Sequence, residues 1–147
     1  MLSIHDSDYC AALRNRIDKL TADSPRQWGT MNASQMVWHL NASLAIGLGK
    51  LRGTPMKPPI PAVLLRPLAL YLPFPKGKAK AIPETVAPDV CDLNAERARF
   101  HQLIEEFSLR PLHMSWLPHP ILGALNGPDW SRLQAKHIDY HLRQFAS

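Results

Sequence analysis

The chain has 147 residues, 17 Lys and Arg against 12 Asp and Glu, a formal net charge of +5 and 46% apolar residues. That bounds it to one domain able to bury a core, residues 1–147, and excludes a disordered chain. Its two cysteines, Cys10 and Cys91, are too few for a disulfide scaffold and form no C-x-x-C pair, so a reducing, cytoplasmic setting is expected. The start, MLSIHDSDYC, has no basic stretch followed by an apolar run, so no signal peptide is expected. The stretch IPAVLLRPLALYLPFP is interrupted by Arg66, Pro61, Pro67 and Pro73, so no membrane insertion is expected either.

The first predicted helix covers residues 7–20, with Ala11, Leu13, Ile17 and Leu20 as an approximate apolar stripe. A turn-rich connection follows. Asn32 and Gln35 have capping-box spacing, so a second helix starts near Ala33 and ends at Gly47 or Gly49. Its inward stripe is Met36, His39, Leu40, Ser43 and Ile46. Residues 50–89 are rich in proline, which removes backbone donors; loops are expected, with one short helix over 62–72 broken at Pro67. The third main helix covers residues 93–107, burying Phe100, Leu103, Ile104 and Phe107. A connection rich in Pro and Gly leads to the fourth, which starts after Pro128 and runs to Phe145. No stretch alternates as a strand would. The expected fold is all-α, a four-helix bundle with a long proline-rich crossover between helices two and three.

Every charge in residues 50–82 is basic: Lys50, Arg52, Lys57, Arg66, Lys76, Lys78 and Lys80. The plain reading is a solvated rim. The functional alternative is a non-enzymatic basic helical module that binds an anionic partner through residues 50–80.

The last helix carries KHIDYHLRQF, with His137 and His141 four residues apart. Residues at that spacing share a helix face, and two imidazoles there can converge on one ion. Trp130, Leu133, His137, His141 and Phe145 form the inward stripe, with Gln134 and Tyr140 at its margin. His39 lies on the inward stripe of helix two. Two ligands from one helix and one from another would cap a metal on one side and leave positions open, the catalytic arrangement. The competing reading is three hydrogen-bonded histidines of a core or cleft. Gln35, Ser43, Gln134 and Tyr140 are candidates for orienting the ligands.

Other chemistries fit less well. Ile138 stands where an H-E-x-x-H protease has its glutamate, and the E-x-x-H motifs of di-iron bundles are missing. His101 and Glu105 share i, i+4 spacing but read as exposed. His119, in PHPILG, is a candidate for substrate contact or proton transfer; its plainer reading is a loop residue that fixes the turn with Pro120 and Gly123.

The segment QWGTMNASQMVWHL resembles W-G-x-M-x-x-x-Q-M-x-x-H of the DinB-like superfamily. HPILG followed by DWSRLQAKHIDYHLRQF resembles the C-terminal signature of a branch of uncharacterised function, H-P-x-x-G then W-x-x-L-x-x-K-H-x-x-x-H-L-x-Q-F. The resemblance spans nearly the whole chain, with the proline-rich middle matching only loosely. It implies a bundle of up-down-down-up topology, often homodimeric. It also implies a divalent metal such as nickel, zinc or manganese, held by one histidine of helix two, matching His39, and two of helix four, matching His137 and His141. Relatives include transferases and isomerases that use low-molecular-weight thiols, and hydrolase-type proteins, so a small-molecule substrate is expected and nucleic acid is not.

Overall fold

The computed structural model describes residues 2–77 and 80–147, so Lys78 of the basic segment lies outside the described residues. These residues form five α-helices and no strand: α1 (Ser7–Asp18), α2 (Ala33–Gly47), α3 (Ala62–Tyr71), α4 (Leu93–Leu109) and α5 (Gly127–Gln144). A single 3-10 turn, Pro83–Thr85, interrupts the connection before α4.

The ends follow from local chemistry. Asn32 and Gln35 close the capping box reciprocally: the Gln35 amide donates to Asn32 Oδ1 at 2.8 Å and the Asn32 amide to Gln35 Oε1 at 2.9 Å. Asp6, Asp92 and Asn126 cap α1, α4 and α5 without the reciprocal half of the box: Asp6 accepts the Tyr9 amide, Asp92 the Asn94 and Ala95 amides and Asn126 the Asp129 amide. Pro128 falls within the first turn of α5, where its missing N–H costs nothing.

Three expectations shift. The first helix ends at Asp18 rather than at Leu20, and Ala11 is exposed. Cys10, Leu13, Ile17 and Leu20 make the buried stripe instead. The short helix runs through Pro67 unbroken. Pro67 is the sixth residue of α3, so the carbonyl its ring crowds belongs to Val63, in the first turn of a short helix.

The core is shared by all the helices. α2 is buried on nearly every side and packs chiefly against α4, with α5 also against it; α1 packs on α4 and α5, and α3 on α5. Phe100, Leu103, Ile104 and Phe107 of α4 are buried as expected, with Trp130, Ile138 and Leu142 of α5. Gly47 lets α2 approach Phe107 of α4 and Trp130 of α5 closely. A Cβ there would stand 2.8 Å from the Phe107 ring and 3.3 Å from the Trp130 ring. Down the α2–α5 contact, Gly47 faces Trp130, Ser43 bonds Gln134, and His39 meets His137. The two helices therefore run antiparallel, and this register brings the histidines together.

Candidate metal centre

His39 of α2 and His137 and His141 of α5 meet as a triangle. The ring centroids of the three pairs are 4.9, 4.7 and 4.8 Å apart, with planes 73°, 71° and 77° to one another. The three rings thus stand edge to face with one another. The candidate ligand atoms all lie within 4.8 Å of one another. His39 Nε2 and His137 Nε2 are 3.0 Å apart. Two nitrogens bound to one ion at about 2.0–2.1 Å can be no more than about 4.1 Å apart, so small ring rotations suffice to close all three onto an ion.

Two tautomers are fixed by neighbours. His39 Nδ1 lies 2.8 Å from the Thr85 carbonyl, which only accepts, so Nδ1 carries the hydrogen and Nε2 keeps its lone pair. His141 Nδ1 lies 2.8 Å from Gln144 Oε1. The Gln144 amide nitrogen donates to the Trp28 carbonyl at 2.8 Å, which settles which end of the amide faces the ring. His141 is thus an Nδ1–H tautomer as well, with Nε2 free. Such outer hydrogen bonds set the orientation and basicity of metal-binding imidazoles. With His39 Nε2 unprotonated, the 3.0 Å contact is a hydrogen bond only in the tautomer that puts the hydrogen on His137 Nε2.

Burial keeps the three rings neutral. His39 and His141 are each 8% exposed, and His137 is half-buried. Loss of solvation lowers the pKa of His39 and takes His141 down to about 4, aided there by His39. His137 is driven well below the usual histidine range by burial and then by His141, His39 and His119. Neutral imidazoles at pH 7 are what a divalent ion requires.

Of the residues expected to orient the three histidines, Gln35, Ser43 and Gln134 bond elsewhere, while the Tyr140 ring stands edge to face with His141, centroids 5.0 Å apart. Gln35 completes the cap of α2 and donates to the Pro88 carbonyl. Ser43 and Gln134 bond one another. The Tyr140 hydroxyl receives Trp28 Nε1 and the Gly77 amide and donates to the Pro75 carbonyl. Thr85 and Gln144 hold His39 and His141 instead. Nothing in the sequence points to Thr85, a backbone carbonyl from the proline-rich connection. Gln144 was readable as the residue three after His141, on the same helix face. Gly29 shapes its seat: φ is +82°, and a Cβ would fall 2.3 Å from Gln144 Nε2.

His119 builds its own turn. Its backbone pairs in both directions with Gly123, at 2.8 and 2.9 Å, and Nδ1 accepts the amides of Ile121 and Leu122 at 3.0 and 3.1 Å. Burial takes its pKa down to about 4, and its ring lies 5.2 Å from that of Trp130. The remaining histidines are apart from the centre. His101 pairs with Asp18 at 2.7 Å rather than with Glu105, and His5 bonds Ser131 and the Arg110 carbonyl. His113 is exposed. Cys10 and Cys91 are free thiols whose pKa burial raises, the opposite of an activated nucleophile.

Residues 2–147 match a family described as a protein of unknown function, DUF1569. The chain belongs to the DUF1569 family. No curated protein and no solved structure matches it. Family membership therefore assigns no chemistry, and the chemistry of this DUF1569 chain is argued from the three imidazoles.

Proposed function

We propose that the chain binds one divalent metal ion through Nε2 of His39, His137 and His141 and uses it in catalysis on a small molecule. The observation that carries this reading is the convergence of three neutral imidazoles from two antiparallel helices, two of them with Nδ1 committed to hydrogen bonds. Three nitrogens on one side of an ion leave positions for water or substrate. The ion would lower the pKa of a bound water or thiol, or polarise a substrate oxygen. Imidazole suits zinc and nickel better than manganese, which favours carboxylates. Thiol-dependent transfer and metal-assisted hydrolysis are the reactions this reading puts first.

The DinB-like resemblance belongs to the same reading, with α1, α2, α4 and α5 as an up-down-down-up bundle and α3 as an addition in the crossover. Contacts between the long helices support it. His5 bonds Ser131 and Arg16 pairs with Asp139, so α1 and α5 run together. Asn41 bonds Glu96, and Gly47 faces Phe107, so α2 and α4 run together in the opposite sense. Pairing of two copies through helix faces, in a cytoplasmic setting, completes the proposal.

The test is elemental analysis of protein purified without a polyhistidine tag. One equivalent of zinc or nickel per chain is expected. Metal-free protein that also fails to take up either ion in titration would refute the site.

A further inference from the structure

α3 has one charged residue, Arg66, and it is turned inward: Nε and Nη2 donate to the Leu122 carbonyl at 3.3 and 3.2 Å. The carbonyls at its C-terminal end are met from α5. Arg132 Nε donates to Leu70 at 2.9 Å, and Lys136 Nζ donates to Ala69 and Leu72. With the polar needs of the helix answered from inside, its outer side carries no charge and is apolar apart from the Tyr71 hydroxyl. Val63 is 66% exposed, Leu64 59%, Leu68 45%, Tyr71 61% and Leu72 52%. Leu64, Leu68 and Tyr71 fall one turn apart and form one stripe, with Val63 at its edge and Leu72 just past the helix end, on the face where a surface helix ordinarily puts its charges. A contiguous apolar patch of this kind marks an interaction site.

The rim decides what fits. The Arg132 guanidinium lies 4.5 Å over the Tyr71 ring, and the Lys136 ammonium 4.3 Å over the Phe74 ring. Of the nearby acids, Glu84 is engaged by the Thr54 amide and hydroxyl, and Asp129 sits in the first turn of α5. A second copy docked through this face would bring two basic rims together. Nucleic acid would meet aliphatic side chains where its phosphates need donors. An anionic bilayer answers both features, taking the apolar stripe at the acyl boundary and the cations among its headgroups.

We propose that the outer face of α3, together with Leu72 just past its end, docks the protein on an anionic lipid surface. The helix lies in the plane of the surface; no helix among the described residues is long and apolar enough to cross a membrane. Docking is independent of the metal centre and persists when that centre is disabled.

The experiment is sedimentation of the full chain with vesicles of phosphatidylcholine alone or mixed with phosphatidylglycerol. The protein is expected in the pellet with the anionic vesicles, with affinity at least about tenfold weaker for neutral vesicles or at high salt. Leu64→Glu with Leu68→Glu replaces outward-facing side chains, so the variant keeps its helical circular dichroism and loses the pellet. His39→Ala pellets like the parent, which separates this proposal from the metal site. Equal partition with both vesicle types, or an unchanged pellet for the double variant, overturns the proposal. So does a parent that ignores vesicles and sediments as a dimer which the double variant breaks, since a second copy then covers the face.

Discussion

Gln144 Oε1 accepts the Nδ1 hydrogen of His141 at 2.8 Å while the other end of the same amide donates to the Trp28 carbonyl at 2.8 Å. One side chain thus ties an imidazole of α5 to the loop before α2. Gln144→Ala should weaken zinc binding by about 10–100-fold with little loss of helix, measured by competition with a chelator. A zinc affinity equal to the parent's would show that His141 is oriented without it.

Gly29→Ala should reach the same centre from outside. Its backbone lies in the left-handed region, φ +82°, and the new methyl would press on Gln144. The strain costs on the order of 1–2 kcal/mol of folding stability, read from denaturant unfolding, and zinc affinity should fall with it. Lost stability with unchanged zinc affinity would mean that Gln144 finds another way to hold His141.

Much of this was legible before the fold. The apolar residues of α4 recur at helical spacing, so Phe100, Leu103, Ile104 and Phe107 could be placed in the core without a structure. His39 and His141 could be placed inward for the same reason. Ala11 could not, because a small apolar residue does not reveal its face; Cys10 beside it is the buried one. The path through Pro67 was also hidden, since proline signals a break whose cost depends on where in the helix it falls. Thr85 was out of reach altogether. A carbonyl belongs to every residue, and only the path of the 3-10 turn brings this one to His39.

Acid should unfold the metal-free protein early. His39, His119, His137 and His141 all have folded pKa values below the ordinary 6.5, two of them at about 4. The unfolded chain then binds more protons than the folded one at any pH between those values. The stability these groups contribute is fully present above about pH 6.5 and is lost as pH falls toward 4, a change on the order of a few kcal/mol. Denaturation midpoints measured across that window should fall as the pH is lowered. A flat profile would mean the rings are solvated and protonate freely in the folded state.

His119→Asn and His119→Ala separate the turn from the ring. An asparagine oxygen can accept the Ile121 and Leu122 amides much as Nδ1 does, in the manner of an Asx turn, whereas alanine leaves both unmet. The alanine variant should lose about 1–3 kcal/mol in thermal or denaturant unfolding, and the asparagine variant clearly less. Equal losses would place the importance of His119 in its ring packing on Trp130 instead.

The central claim, that His39, His137 and His141 hold one ion, is tested most directly by metal content across five single variants. His39→Ala, His137→Ala and His141→Ala are set against His101→Ala and His113→Ala, each purified without a tag and dialysed against the same zinc or nickel buffer. The first three should each lose the ion while keeping a helical spectrum, because the apolar core stands without it. The last two should retain one equivalent, since His101 is engaged with Asp18 and His113 is exposed. Full metal content in His39→Ala beside empty His137→Ala and His141→Ala would contradict the three-histidine centre, and equal content in all five would contradict any metal site on these helices.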